Sequence, residues 1–253
     1  MPVMDEYRKE REAIKHASNK EKWKYFWDYY KWHTIGVVVA IISICGVIYT
    51  FVTKQEIALY AAVINGYAAT EETSTQVEEF ELEILSELKK DPKDYSANVD
   101  YSLYMDFTAQ DMSFVTSQQK LVTLMSANEI DNVVTDADTF GNLGKNGIYM
   151  DLRECLSEAE IMEYEDDFYY MDLKDLIEMD IAVQNMDEEY MYPEYDPYAP
   201  ETMEEPIPVG ILLDADSRLR QLYDFNGNEI VIGVVMNSER LESAKTFLDL
   251  AIH

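Results

Sequence analysis

Apolar positions along the chain follow three kinds of pattern, and each kind predicts a different element. Residues 35–53 (IGVVVAIISICGVIYTFVT) run for 19 positions without a charge. As a helix rising about 1.5 Å per residue they cover roughly 30 Å, the thickness of a bilayer's hydrocarbon. A core helix of a soluble domain carries a polar stripe, and this run has none. A transmembrane helix is therefore expected over 35–53.

Beyond it, strand and helix patterns alternate. Residues 58–64 (ALYAAVI) form a continuous apolar run of strand length, as for a strand covered on both faces, and Asn65-Gly66 follows as a turn signal. Val77, Phe80, Ile84, Leu85 and Leu88 lie on one stripe of a helix that Asp91-Pro92 stops. Val99, Tyr101, Leu103 and Met105 alternate with polar neighbours, the mark of a half-buried strand near a sheet edge. Phe114, Val115, Leu121, Val122 and Met125 define a second amphipathic helix, with Thr116 and Gln119 at capping-box spacing. Residues 130–135, 207–213 and 230–236 read as further strands, and Asn226-Gly227 predicts a hairpin leading into the last of these. Ser157 and Glu160 have capping-box spacing, and Ser238 is expected to cap a closing helix whose inner face carries Leu241, Ala244, Phe247, Leu248 and Ala251.

Strands alternating with helices of this length predict right-handed βαβ units and an α/β domain with a mainly parallel sheet over residues 54–253. One stretch breaks the pattern. Residues 158–205 hold 18 Asp/Glu, a single basic residue (Lys174) and seven tyrosines. Pro193, Pro197 and Pro200 predict a loop from 191 onward, while the tyrosines argue against a fully solvated linker.

Charge changes the picture at both ends of the apolar run. Residues 1–34 contain eight Lys/Arg and six Asp/Glu; the rest of the chain contains 12 and 44, within a total net charge of −30. Lys20, Lys22, Lys24 and Lys31 precede the run closely, whereas Lys54 stands alone after it until Lys89. The excess of positive charge on the N-terminal side predicts a cytoplasmic N-terminus and an extracytoplasmic acidic domain, in a single-pass arrangement. A cleaved signal peptide needs a shorter apolar region closer to its start. Residues 42–46 (ISICG) carry Ile44 where a lipoprotein signal needs a small residue, so an uncleaved signal anchor is expected. Trp23, Trp27, Trp32 and Lys31, in an aromatic stretch over 22–34, have the chemistry of a membrane-interface belt in contact with lipid. A docking helix for a partner is the alternative.

So acidic a chain cannot neutralise phosphates over a broad surface, which excludes sequence-independent nucleic-acid binding. The three histidines are His16, His33 and His253, so no Ser–His–Asp or Cys–His unit can be built inside the domain. With two cysteines, no CxxC and no phosphate-binding glycine loop, no catalytic residue and no cofactor is expected. The pairs Asp136/Asp138 and Asp214/Asp216 lack the glycine and terminal glutamate of an EF-hand, and no metal site is expected either.

Two stretches carry a resemblance. Residues 117–140 (SQQKLVTLMSANEIDNVVTDADTF), running on to 146–152 (NGIYMDL), and residues 232–238 (IGVVMNS) with 244–248 (AKTFL), are similar in order and spacing to bacterial extracellular solute-binding proteins of the type 2 periplasmic-binding fold. In that family a helix leads into a strand of the form small-x-Glu-x-Asp-Val-Val, then a short helix. The resemblance implies a bacterial cell-membrane protein with a periplasmic-binding-protein-like, non-enzymatic ligand domain, in which residues 153–231 leave room for only a reduced second lobe. The ligand is then a small solute, bound beside an ABC transporter, or an envelope protein partner. The alternative is a structural or interaction module of the cell envelope that keeps the fold without a solute cleft.

Open parallel sheets bind ligands beyond the carboxyl ends of their strands. That selects Asn65 and Tyr67 after the first strand, Asp136, Asp138 and Thr139 after the third, Asp216 after the strand at 207–213, and Asn237 and Ser238 after the last. The competing reading makes Asp138 and Ser238 helix caps and Asn65-Gly66 a plain turn.

Overall fold

The computed structural model describes residues 18–52, 54–109, 111–186 and 190–253; the first 17 residues of the expected N-terminal segment lie outside that range. The chain divides after Lys54 into two units. The first is one helix, α1 (Asn19–Val52). Ser18 and Glu21 form a capping box at its start: the Glu21 carboxylate accepts from the Ser18 amide (2.9 Å) and hydroxyl (2.8 Å). Within α1 the 20-residue stretch Tyr30–Tyr49 is long and apolar enough to cross a membrane, and its valines and isoleucines are exposed. Trp23, Trp27 and Trp32 are exposed on the turns before and at the start of that stretch, with Phe26 stacked on Tyr30.

The second unit is a three-layer α/β domain. Its elements are β1 (Glu56–Ile64), β2 (Tyr67–Ala68), α2 (Thr73–Glu87), β3 (Tyr95–Leu103), α3 (Met112–Ser126), β4 (Asn132–Asp136), α4 (Ala137–Gly144), α5 (Glu158–Glu163), β5 (Phe168–Asp172), α6 (Leu173–Gln184), β6 (Pro206–Leu212), α7 (Arg218–Leu222), β7 (Tyr223–Asp224), β8 (Ile230–Val234) and α8 (Leu241–Ile252). Six strands make the central sheet in the order β3-β1-β4-β8-β6-β5. β1 pairs in parallel with both β3 and β4, as the βαβ reading predicts. The remaining three pairings are antiparallel, so β8 and β5 oppose the other four strands and the sheet is mixed.

The apolar pattern of β1 explains its place. Leu59, Ala61 and Val63 point into one core with Val77, Phe80 and Ile84 of α2 and Phe247 and Leu248 of α8. Ala62 and Ile64 point into the other, with Phe114 and Leu121 of α3 and Phe140 and Leu143 of α4. The chain moves one way along the sheet from β1 to β3 and back the other way from β3 to β4. Crossovers of one hand then place α2 and α3 on opposite faces, as the two cores record. The gap between β1 and β4 is therefore where successive connections leave for opposite sides of the sheet.

Three local expectations are corrected. The last strand, assumed parallel, runs antiparallel to β4, pairing Asn132 with Val234 and Asp136 with Ile230. The Asn226-Gly227 turn forms, with positive φ at both residues (57° and 77°), yet β7 before it pairs with β2 instead of folding back on β8. The α3 start is capped by Asp111, whose carboxylate accepts from the Phe114 amide (3.0 Å), while Thr116 bonds back to the Met112 carbonyl. The Ser157/Glu160 capping box forms as expected. The acidic stretch adds β5 to the edge of the same sheet, so it is built into the domain.

Candidate functional site

Asn65 stands at the carboxyl end of β1 with φ of 61°, a left-handed conformation that Asn tolerates better than most residues. That bend turns its carboxamide across the strand ends. The Asn65 Nδ2 donates to the Met105 carbonyl (3.0 Å), to Asp136 Oδ2 (2.8 Å) and to Thr139 Oγ1 (3.1 Å), and its Oδ1 accepts from the Met105 amide (2.8 Å). Asp136 is the N-cap of α4, accepting from the Thr139 amide (2.9 Å). One side chain thus ties the ends of β1, β3 and β4 together at the switch point of the sheet.

Packing holds α4 close above that point. The Phe140 ring lies flat on Tyr149 (3.9 Å between centroids) and over two glycines of the sheet. A Cβ at Gly210 or Gly233 would stand 2.7 or 2.8 Å from the Phe140 ring, so only glycine lets α4 sit this low.

Above these strand ends opens a cleft of about 790 Å³, lined by Asn65, Tyr67, Asp136, Asp138 and Thr139 from the strand ends. A volume of that size suits a small ligand. Its opposite wall comes from the acidic stretch, through Tyr169 of β5 and the segment from Tyr192 to Tyr198. Two buried carboxylates bind this strap. Asp172 accepts from the Glu204 and Glu205 amides, while its own amide donates to the Tyr192 hydroxyl (2.9 Å). Asp175 accepts from the Tyr195 hydroxyl, and the Tyr170 amide donates to the Pro197 carbonyl (2.8 Å). Tyr198 then reaches Glu229, just before β8, with a hydroxyl-to-carboxylate bond of 3.1 Å. The loop expected here is irregular in backbone but well tied.

The electrostatics are one-sided. Asp106, Asp138, Glu194 and Glu229 line the cleft besides Asp136, against one cation among the described residues, Lys145. Hydrogen bonds from Thr108, side chain first, hold Asp106 below the usual carboxylate range. Burial, with Asp138 adding to it, pushes the Tyr169 phenol up to about 12; burial and Asp172 raise Tyr192 to about 12 although the Asp172 amide opposes the shift. Burial and then Glu229 raise Tyr198. The rings therefore stay neutral and protonated across the physiological range.

Five of the eight expected ligand residues meet at this cleft, and three do not. Because β8 is antiparallel, Asn237 and Ser238 emerge at the opposite end of the sheet. There Asn237 donates to the Met125 carbonyl (2.7 Å) and Asn128 Oδ1 (2.6 Å), and Ser238 donates to Asp131 (2.7 Å). Ser238 precedes α8 without capping it: the helix begins only at Leu241, and the Ser238 hydroxyl accepts from the Arg240 amide (3.2 Å) ahead of it. Asp216 lies in the turn before α7, where its carbonyl accepts from Gln221 (3.1 Å). The strap tyrosines join the expected residues at the cleft, although the strand-end rule does not select them. Their signal was the recurrence of Tyr190, Tyr192, Tyr195 and Tyr198 amid carboxylates able to accept from them. Among the described residues no three Asp, Glu, His or Cys side chains converge to hold a metal ion. Compared with known proteins, the chain matches no family model, no curated protein and no solved structure.

Proposed function

We propose that the chain is a single-pass protein of the bacterial cell membrane, N-terminus in the cytoplasm, whose extracytoplasmic domain is a non-enzymatic receptor for a small solute. The observation that carries this reading is the cleft at the carboxyl ends of β1 and β4, walled by α4 on one side and the tyrosine strap on the other. The resemblance to solute-binding proteins supports it, the acidic stretch falling in the sequence interval where that family carries its larger second lobe. The lysines before Tyr30–Tyr49 favour the orientation, and Trp23, Trp27, Trp32 and Lys31 would sit at the headgroups. Small solutes delivered to such a receptor commonly pass on to an ABC transporter, which would then be its membrane partner.

The test is a thermal-shift screen of the full chain in lipid nanodiscs against sugars, amino acids, peptides, polyamines and divalent metals. A ligand at a hundred times its Kd stabilises by about 2.7 kcal/mol. A shift with one chemical class is the expected result. If every class leaves the melting temperature unchanged beyond the effect of salt, the receptor reading fails. A second reading, an envelope interaction module, draws on the exposed stripe of Leu173, Ile177 and Ile181 along α6.

A further inference from the structure

We propose that the ligand of this cleft is a small alkylammonium cation bearing N–H groups, seated between the phenol rings and held by the carboxylates of Asp138 and Glu194. The inference rests on the receptor reading and names its substrate class.

The carboxylates fall into two groups. Asp136 is engaged by the Thr139 amide and by Asn65, Asp106 by Thr108 and Ala109, and Glu229 by Tyr198. Asp138 and Glu194, on α4 and on the strap, accept no hydrogen bond and form no ion pair among the described residues. They come from opposite walls of one concavity and are exposed, so both stand open to a ligand's donors. A ligand that supplies N–H donors and positive charge complements both at once. The walls low in dielectric also focus the field of the acids into the cleft.

Two further features decide which cation fits. Tyr67, Tyr104, Phe107, Tyr169 and Tyr198 present rings, and an ammonium group with a hydrocarbon body gains from ring faces and ring edges alike. The acids are dispersed among those rings, and among the described residues no three converge as a bare metal ion requires. A quaternary ammonium would use the rings and bring no donor to Asp138 or Glu194.

The experiment is titration calorimetry on the full chain in zwitterionic nanodiscs, with 1,4-diaminobutane as the cation and 1,4-butanediol as its uncharged counterpart. Glucose and glutamate serve as probes of other classes. The diamine is expected to bind at one site, at least tenfold more tightly than the diol, and more weakly as salt is raised. Asp138→Asn and Glu194→Gln are each expected to weaken it roughly tenfold or more, since each removes a charged acceptor. Neither change breaks a protein hydrogen bond, so melting should be unaffected. Glu78→Gln, on the exposed face of α2, should leave affinity unchanged. If the diol binds as well as the diamine, or both cleft variants bind the diamine like the parent, the inference is overturned and the amine is merely held by an acidic surface. Binding of glucose or glutamate without the diamine overturns the inference and leaves the receptor reading intact. No binding of any probe to chain that still melts cooperatively overturns both.

Discussion

Strand β4 is bracketed by two aspartates whose fates differ. At its amino end Asp131 is fully buried, and every direction around it is closed. Its carboxylate accepts from the Tyr60 amide (2.8 Å), from Ser238 (2.7 Å) and from Arg240 Nε (3.0 Å). Burial raises its pKa, and those three partners work against the rise. At the carboxyl end Asp136 is held by neutral donors alone, the Thr139 amide, the Asn65 carboxamide and the Thr135 hydroxyl, and it borders open space. An aspartate sealed by an arginine is an architectural joint. One that faces a cleft without an ion-pair partner of its own is free to shape what enters.

The largest expected effect lies at the sealed end. Arg240→Ala leaves Asp131 as a buried charge without its ion pair, and chemical denaturation should record a loss of about 3 kcal/mol, the low end for such a deletion. A loss under about 1 kcal/mol would mean that Asp131 is neutral or hydrated, and the contrast between the two ends would collapse. Next comes Asn65→Ala, which removes the network across β1, β3 and β4 and places a less tolerant residue at φ 61°. A cost of about 2 kcal/mol is expected, combining lost hydrogen bonds with backbone strain. Asn65→Gly keeps the backbone allowed and should recover only part of it.

Asp136→Ala removes the cap of α4 and should cost about 1 kcal/mol. Because α4 remains pinned by Phe140, the domain should stay folded while its response to ligand disappears. The smallest effect concerns pH at the exposed edge of the sheet. Burial alone would raise the pKa of Asp100, but hydrogen bonds from Lys120, Tyr60 and Ser102 outweigh it and hold the group down at about 2. A carboxylate with a depressed folded pKa stabilises fully above its unfolded value near 3.9, and that contribution is lost as pH falls toward 2. Asp100→Asn should therefore narrow the stability gap to the parent between pH 4 and pH 2. A gap constant across that window would show that the bonds do not depend on the charge.

The two ends of β4 were not equally legible. Residues 130–135 read as a buried strand because their apolar run is local, and Asp136 could be placed at its carboxyl end for the same reason. Asn65 was selected by the same logic after β1. Asn237 and Ser238 belong at the cleft only if the last strand runs with its neighbours, and it does not. Strand direction is set by which edge the chain returns to, and a buried strand has the same composition either way. The Asn226-Gly227 turn was equally visible, but β7 spends its ladder bonds on β2, more than 150 residues earlier in the chain. The acidic stretch hid β5 and α6. The apolar residues of FYYMD and the spacing of Leu173, Leu176, Ile177 and Ala182 were present, masked by surrounding charge.

Local sequence by itself determined the long apolar helix, the buried character of β1, β4 and β8, the amphipathic stripes of α2 and α8, and the left-handed bends at Asn65 and Asn226. These depend on side-chain periodicity and backbone sterics within a few residues. Tertiary structure alone decided the direction of β8, the burial of Asp172 and Asp175 under the strap, and the meeting of Asp138 with Glu194 across one cleft. Those facts depend on distances between segments far apart in the chain, which no short-range pattern encodes.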